Sequence, residues 1–498
     1  MTRDSTTIAP LSARSSAHSS AHGSAHLSAL YTALRGRDFP PATRAAAKSA
    51  ILDGVGCILA GVPTGTAGIV RATLAEFGGR PQASILGTRE RASIAGAAMA
   101  NGVAGHVIDY DDTNASMIGH PSTVLAPVIL ALGEAGGRTG DDVVRAYIVG
   151  FEIETRLGRW MNPGHYGAGW HATSSLGIFG AAAAACHLLD LDAGQFAHAV
   201  GIAASASSGL RRNFGSMTKS FHAGHAAERG IWAAVLAGKG FTASPDPFSG
   251  DEGFLAMYRA STSGPAAPEA VDTVNGKAAR GEAAQEATSG EAAALDADGP
   301  LELDTVGIGV KPYPCCGAGL TVIDAMLDLC ASHRLAASQV VRIDCAVSAF
   351  ARRIMPFDGA DDELQAKYCL PYCLAVALLD GRAGLRQFDA PRVREGDVQR
   401  MMERVRLAFS DTLATGNGRF GVDLRVSLSD GRVLRQEVET PRGHPARPLS
   451  AEELARKFIE CAETVLDTTA ARQALARLQT LDDLPNLSPL LETLRPAD

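Results

Sequence analysis

The spacing of apolar residues predicts helices through most of the first half of the chain. Between Leu27 and Tyr258, apolar side chains recur at three- and four-residue intervals, the period of a buried helix face. The clearest stretches are 42–60, 141–157, 176–189, 193–207 and 223–239. No β-branched run alternates with the two-residue period of a strand, and Gly240 follows the last stretch as helix-ending glycines do. This half is therefore predicted to be all-α.

The pattern changes after residue 300. Residues 340–347 alternate like a strand, and 420–428 and 432–438 flank Asp430-Gly431, a pair typical of a tight hairpin turn. Helices are predicted between these strands at 318–332, 364–379 and 398–409, which gives an α+β domain of 307–440. A further amphipathic helix is predicted over 451–465, opened by Ser450 with Glu453 three residues on, a capping box.

These patterns predict a mainly α fold with a large all-α domain and a smaller inserted α+β domain. The all-α domain comprises 27–263 and is rejoined by the C-terminal helices of 441–498. Residues 264–306 are predicted to be a low-complexity linker, and 1–26 a disordered tail. The tail repeats Ser-Ala-His three times, so metal binding on a helix face is an alternative for its histidines.

Composition is that of an ordinary soluble globular protein. The chain has 498 residues, 46% hydrophobic and 20% charged, and a net charge of −8. It shows no basic face, which argues against nucleic acid, and no apolar run of the roughly 20 residues needed to span a membrane. Nine irregularly spaced cysteines and the lack of an apolar N-terminal segment favour free thiols and a cytoplasmic location.

Residues 109–122 hold the densest polar cluster. Asp109, two further aspartates, Thr113 and His120 lie within twelve residues of an apolar region, and Ser122 is the expected N-cap of the next helix. Carboxylates at that density need solvent, a cation or a substrate. We interpret the cluster as part of an active site. A divalent-metal site and a role in solvation or helix capping are the alternatives.

Other polar groups stand in similar apolar surroundings. They are His171, Lys219, His222, Lys311 and Cys316. Prolines beside Lys311 hold an extended backbone, from which the side chain could reach a cleft between the domains. Lysines would neutralise the carboxylates of a small di- or tricarboxylate, and an Asp/His pair would move a proton at the adjacent carbon. A purely structural role is the alternative for the histidines and lysines. No phosphate-binding loop, nucleophile elbow or zinc-spaced cysteine set is present, so no cofactor or metal is predicted.

Several spaced motifs of the chain resemble those of the MmgE/PrpD family, which includes 2-methylcitrate dehydratase, cis-aconitate decarboxylase and an iminodisuccinate epimerase. The motifs, in family order, are Asp109-Tyr-Asp-Asp-Thr113 with His120-Pro-Ser; His171-Ala-Thr-Ser-Ser-Leu-Gly; Met217-Thr-Lys219-Ser-Phe-His222-Ala-Gly; Lys311-Pro-Tyr-Pro-Cys-Cys316; Ala366-Lys-Tyr-Cys-Leu-Pro-Tyr372; and Gly443-His-Pro. The resemblance implies that the α+β domain is a lid on the helical domain. It also implies a homodimer and metal-free chemistry.

The resemblance also implies the site. By motif, Asp109, Thr113, His120, His171, Lys219 and Lys311 match the decarboxylase active-site positions. Cys316 stands where those enzymes carry a lid histidine, and Phe357 is near the position of their lid tyrosine. The interval from Thr113 to His120 is one residue longer than in the decarboxylases.

We therefore predict a lyase acting on a small polycarboxylate, most simply a 2-methylcitrate dehydratase-like dehydration. His120 would transfer the proton, assisted by Asp109 and oriented through Thr113. The side chains of His171, Lys219, Lys311, His222 and Cys316 would bind substrate. An epimerase, with Cys316 as a second acid/base, a decarboxylase and a non-catalytic carboxylate-binding paralogue are the alternatives.

Overall fold

The computed structural model describes residues 22–259, 295–413, 415–416 and 419–497. It is 59% helical with 9% strand, which confirms the mainly α fold class. The predicted tail up to residue 21 and the predicted linker up to residue 294 lie outside the described residues. The first helix begins at His22, so residues 22–26, expected in the tail, belong to that helix.

The N-terminal half folds as packed helices. The longer ones are His22–Gly36, Pro41–Gly61, Gly65–Phe77, Ile94–Val107, Ser122–Gly136, Gly140–Met161, Gly177–Leu188, Ala193–Ala206 and Met217–Gly238; the shorter ones are Gly164–Gly167, Ala172–Ser175 and Phe254–Tyr258. Four of the five predicted stretches differ from the observed helices by at most four residues at either end. The fifth helix begins at Met217, six residues earlier than predicted, and so carries Lys219 and His222.

Glycines allow two of these helices to cross closely. A Cβ at Gly102 would lie 2.8 Å from the Gly224 Cα, and a Cβ at Gly224 would lie 2.5 Å from the Met99 carbonyl oxygen. The helices Ile94–Val107 and Met217–Gly238 therefore pack backbone to backbone, an approach that no larger residue permits. This contact brings the C-terminal end of the first helix to the N-terminal end of the second.

The second half contains the four-stranded sheet. Its strands are Val405–Phe409, Val340–Val347, Val422–Leu428 and Val433–Val438 in spatial order, the first pair parallel and the others antiparallel. The predicted strand and hairpin are confirmed, with Val426 opposite Leu434 and Gly431 in the turn at φ +89°. The helices of this part are Glu302–Thr305, Gly317–His333, Ala349–Ile354, Glu363–Ala366, Leu370–Asp380, Ala390–Val393 and Gly396–Met402. Gly317–His333 and Leu370–Asp380 pack on each other and against the sheet.

The chain ends in helices that return to the N-terminal half. Ala451–Ala462 and Thr468–Gln479 pack against Pro41–Gly61, and Ser488–Thr493 follows them. The predicted capping box is present, because the Ser450 side chain accepts from the Glu453 amide while the Glu453 carboxylate accepts from the Ser450 amide. The first and last parts of the chain thus share one helical layer.

Four local predictions were wrong. The helix predicted over 398–409 ends at Met402, and Val405–Phe409 is instead an edge strand, because it finds a parallel partner in Val340–Val347. The helix predicted over 364–379 is broken before Leu370. Short strands at 83–84 and 91–92 pair within the half predicted as all-α.

The fourth error concerns Ser122, which is not an N-cap. Pro121 occupies that position, and the Ser122 hydroxyl bonds to Asp112 and Tyr147 instead. Within the described residues, no single helix has both the length and the apolar character to cross a membrane; Pro41–Gly61 and Gly65–Phe77 meet the criterion only as a pair, bent by 86°.

Candidate active site

The site is built around the loop that joins Ile94–Val107 to Ser122–Gly136. Asp109 at its start has φ +55°, in the left-handed region that few residues other than glycine adopt. Lys311 Nζ holds this conformation, since it donates to the Asp109 backbone carbonyl at 2.9 Å and to Asp109 Oδ1 at 2.9 Å. A residue from the second half of the chain thus fixes the entry of the loop.

Two buried lysines meet on Asp109. Lys219 Nζ donates to the same Oδ1 at 2.8 Å, and all three side chains are at most 6% exposed. Burial alone would raise the pKa of Asp109, but Lys219 and Lys311 together hold that pKa well below its usual range. Burial likewise opposes protonation of Lys311, yet Asp109 and Asp111 raise its pKa above the usual value. The group therefore holds two positive charges and one negative charge.

Asp111, not Asp109, is the carboxylate partner of His120. His120 Nδ1 lies 3.4 Å from Asp111 Oδ2, and His106 Nδ1 lies 2.7 Å from the same oxygen. The two imidazole rings stand edge to face with centroids 4.8 Å apart. The expected assistance of His120 by Asp109 is therefore wrong, because the left-handed turn directs Asp109 to the lysines and leaves Asp111 to the histidines.

The tautomer of His120 follows from its neighbours. Its Nδ1 is 2.8 Å from the carbonyl oxygen of Asp112, an acceptor only, so Nδ1 carries the hydrogen and Nε2 keeps a lone pair. The backbone amide of His120 donates to Thr173 Oγ1 at 3.1 Å. Burial lowers the pKa of His120 to about 3, against the opposing effect of Asp111, so the ring is neutral at pH 7.

Thr113 does not orient His120. Its backbone pairs with Gly309, and its hydroxyl donates to the Gly309 carbonyl at 3.4 Å. Thr113 thus joins the loop to the segment that precedes Lys311. Asp112, next to it, is fully buried, and burial raises its pKa to about 8, so this aspartate is mostly protonated at neutral pH.

The other predicted histidines complete a stack of rings. His171 lies parallel to His106 with centroids 5.4 Å apart, and its Nδ1 is 3.0 Å from His222 Nδ1. One of these two Nδ1 atoms must donate and the other accept, so the two rings take opposite tautomers. Burial lowers the pKa of His171 well below its usual value and that of His222 to about 4.

The second half of the chain brings three further side chains to the site, those of Cys316, Phe357 and Tyr368. Cys316 is buried, and burial, reinforced by the charge of Asp109, raises the pKa of its thiol to about 12, so it stays protonated at neutral pH. Phe357 packs with its ring against the Gly215 backbone, where an added Cβ would lie 2.7 Å from it. Tyr368, rather than Phe357, faces the charged group: burial and then the charge of Asp109 raise its pKa.

Some of these side chains, with their neighbours, line a narrow cavity of about 10 Å³. Its polar lining consists of His106, Asp109, Ser216, Lys219, Ser220, Lys367 and Tyr368. Asp109 and Lys219 line it directly. Lys311 contacts Asp109, while His120 and His171 contact His106 (distances above). The cavity is therefore bounded by one connected group of charged and imidazole side chains.

Sequence reasoning missed three residues of this group: His106, Asp111 as the histidine partner, and Tyr368. His106 precedes Asp109 by three residues, at the end of a helix whose face it shares with buried apolar residues. Tyr368 belongs to the motif 366–372, so the motif was a signal for it. Asp111 could not be separated from its neighbours by spacing alone.

Three of these side chains also meet the spacing of a metal site. The potential ligand atoms of His106, Asp111 and His120 all lie within 4.8 Å of one another. Both imidazoles, however, face Asp111 through Nδ1 at the distances given above, and a neutral histidine satisfies such a contact by donating its hydrogen. The absence of a metal stays a prediction.

The fold and the site together define a class of protein: a helical domain joined to an α+β domain, with histidines from the helical domain and lysines from both around one small buried cavity. The chain belongs to the MmgE/PrpD family. The family's N-terminal domain matches residues 25–264, and its C-terminal domain matches residues 313–483.

Three curated relatives are named cis-aconitate decarboxylases or cis-aconitate decarboxylase-like proteins. Human cis-aconitate decarboxylase is 27% identical over 416 residues, 80% of this chain and 79% of the human protein. Cis-aconitate decarboxylase of Aspergillus terreus is 27% identical over 482 residues, 92% of each chain. The cis-aconitate decarboxylase-like protein oryM of Aspergillus oryzae is 25% identical over 484 residues, 92% of this chain and 94% of that protein.

Proposed function

We propose that the protein is a lyase that acts on a small di- or tricarboxylate by moving a proton at the carbon next to a carboxylate, and that it removes water from a hydroxy acid. The observation that carries this proposal is the position of a neutral imidazole, His120, beside two lysines that share one aspartate. The relatives named above, all decarboxylases or decarboxylase-like proteins, support lyase chemistry on a polycarboxylate.

Lys219 and Lys311 are placed to bind a carboxylate of the proposed substrate. Among the described residues, Lys219 Nζ makes one hydrogen bond and Lys311 Nζ makes two, both to Asp109. An ammonium group has three N–H donors, so donors remain on both for a substrate carboxylate. With one aspartate between them, the pair keeps one net positive charge. As a carbanion forms next to a bound carboxylate, that carboxylate gains negative charge, and buried ammonium groups stabilise it.

The neutral imidazole of His120 can accept the proton that the proposed reaction removes. His120 Nε2 keeps its lone pair because Nδ1 donates to the Asp112 carbonyl. In the proposed step, Nε2 takes the proton from the carbon next to the carboxylate, and the C–H electron pair forms the double bond as the C–O bond breaks. The departing hydroxide then takes the proton from His120 and leaves as water. Asp111 stabilises the imidazolium that exists between these two events.

Decarboxylation is the second candidate, favoured by the names of the relatives. Cis-aconitate has no hydroxyl to lose, so that reaction needs a proton donor to carbon while CO₂ leaves. The neutral state of the site histidines favours proton removal, and Cys316 stands in place of the decarboxylase lid histidine. The raised thiol pKa of Cys316 also disfavours the thiolate that a second base of an epimerase requires.

The test is a turnover screen in deuterated water with 2-methylcitrate, citrate, cis-aconitate, tartrate and an iminodisuccinate analogue. Dehydration predicts an ultraviolet-absorbing alkene and one equivalent of water, without CO₂. Release of CO₂ from cis-aconitate would establish the second candidate instead, and a deuterated stereoisomer would establish an epimerase. Binding without turnover of any compound would leave a non-catalytic paralogue. His120→Asn is the matched control, expected to bind but not to turn over substrate.

A homodimer is also part of the proposal. Met217, Phe221 and Trp232 recur at four- and eleven-residue intervals along Met217–Gly238 and are 44–48% exposed, with Leu210 nearby at 52%. Exposed large apolar side chains along one helix suggest a protein interface. Sedimentation of the wild type as a dimer and of Trp232→Glu as a monomer would support it. We also propose a cytoplasmic location, because all nine cysteines are free thiols.

A further inference from the structure

Among the buried polar atoms of the site that have no hydrogen-bond partner within the described residues, the Nε2 atom of His106 has no function in the mechanism above. His106 is 1% exposed and lines the cavity, and its Nδ1 is held by Asp111 at 2.7 Å. Its Nε2, at the opposite edge of the ring, has no hydrogen-bond partner among the described residues. Leaving a buried polar atom without a partner is energetically unfavourable, so a ligand that satisfies it is favoured.

The tautomer decides what such a ligand must offer. Asp111 bears a negative charge, because His106 and His120 hold its pKa below the usual value in spite of burial. A carboxylate only accepts hydrogen bonds, so His106 Nδ1 carries the hydrogen and Nε2 carries the lone pair. The missing partner is therefore a hydrogen-bond donor. The carboxylates of a polycarboxylate at neutral pH only accept, whereas a hydroxyl group donates.

The position of the ring agrees with that requirement. His106 lies 4.8 Å from His120 between ring centroids, and it lines the same cavity as Asp109 and Lys219. A substrate whose carboxylate reaches the lysines and whose acidic carbon reaches His120 would bring a substituent on the neighbouring carbon close to His106.

We propose that His106 is the specificity-determining residue of the site: through Nε2 it accepts a hydrogen bond from the substrate hydroxyl, so that the protein selects hydroxy acids over polycarboxylates that lack this group. The inference rests on the proposed function, because it names the substrate class of the same site. It adds that the hydroxyl is recognised before it leaves, and that the product alkene, lacking the donor, binds more weakly than the substrate.

The experiment measures binding by calorimetry on the full chain, with two pairs of compounds that differ only in the hydroxyl: citrate with tricarballylate, and malate with succinate. We expect wild type to bind the hydroxy member of at least one pair about 10- to 100-fold more tightly, as expected for one buried hydrogen bond. In His106→Phe, which keeps a ring and loses both nitrogens, this ratio should fall to near one. His106→Gln, whose amide can donate to Asp111 and still accept, should keep most of the preference.

His171→Phe is the matched control, because His171 stacks on His106 and also has an unpartnered Nε2. It should change the affinities for both members of a pair by the same factor. The proposal is overturned if wild type binds both members equally or binds none of them, or if His171→Phe abolishes the preference while His106→Phe keeps it. The binding measurement and the turnover screen are separate experiments. A clear preference for the hydroxy compound in a protein that releases no alkene would therefore refute the proposed reaction and leave the role of His106 intact.

Discussion

Removal of Lys457 should destabilise the protein strongly, although this residue lies outside the cavity. Lys457 Nζ is 2.6 Å from Asp53 Oδ1, and the two side chains are 4% and 1% exposed. The same nitrogen donates to the Tyr110 carbonyl at 2.8 Å and lies 4.0 Å from the centre of the Tyr110 ring. One cation from the last part of the chain therefore neutralises a buried acid and holds the residue between Asp109 and Asp111.

The magnitude follows from burial. Lys457→Met keeps the length of the side chain and removes its charge, which leaves Asp53 buried without its ion-pair partner. Breaking a buried pair in this way costs about 3–5 kcal/mol. In the double variant Asp53→Asn/Lys457→Met no charge is left unpaired, and the remaining loss is mainly the donor to Tyr110, about 1–3 kcal/mol. The double variant should thus be more stable than Lys457→Met alone.

Urea unfolding, followed by intrinsic fluorescence, measures these differences. Lys48→Met is the matched control, because Lys48 forms a pair of similar length with Asp482, 2.7 Å, at 21% and 16% exposure. More exposed ion pairs contribute about 0–1 kcal/mol. If Lys457→Met loses no more stability than Lys48→Met, or if the losses of Asp53→Asn and Lys457→Met simply add, the argument from unpaired burial is wrong.

Four further predictions concern the site. Lys219→Ala should lower kcat/KM, with a loss of about 2–4 kcal/mol of transition-state stabilisation. Steady-state kinetics on the compound that the screen identifies measure this loss. Turnover by Lys219→Ala at the wild-type rate would refute the role of Lys219. Because burial lowers the pKa of His120 to about 3, its base form persists as the medium is acidified, so kcat/KM should stay level from pH 7 down to about pH 5.5; a fall with an apparent pKa near the usual histidine value of about 6.5 would contradict the assignment. Stability, in contrast, should depend on pH through His222. Burial lowers the pKa of His222 to about 4 in the folded protein, against about 6.5 in the unfolded chain. Between these two pH values the unfolded chain binds more protons, so the urea midpoint should fall as pH falls from about 6.5 to about 4. Prolonged dialysis against a chelator should leave activity unchanged, and loss of activity with recovery on adding one divalent metal would show that His106, Asp111 and His120 hold an ion.

Local patterns determined much of the fold from the sequence alone. The helix Pro41–Gly61, the strand Val340–Val347, the hairpin turn at Gly431 and the capping box of Ser450 all depend on residues within a few positions of one another. Such features depend on side-chain periodicity, glycine placement and helix capping, which are determined by residues within a few positions of one another. The spaced motifs likewise indicated the family, because each is a short run of residues.

The tertiary structure decided what depends on long-range pairing. Val405–Phe409 became a strand because a partner strand lay open beside it, a contact that its own sequence does not encode. The choice of Asp111 over Asp109 as the histidine partner came from a left-handed backbone turn held by Lys311, which lies 202 residues away. Lys457 reaches the same loop across 347 residues, and Tyr368 enters the site from the α+β half. Spacing along a chain identifies which groups can take part in chemistry, but only the packing of distant elements sets which charge faces which.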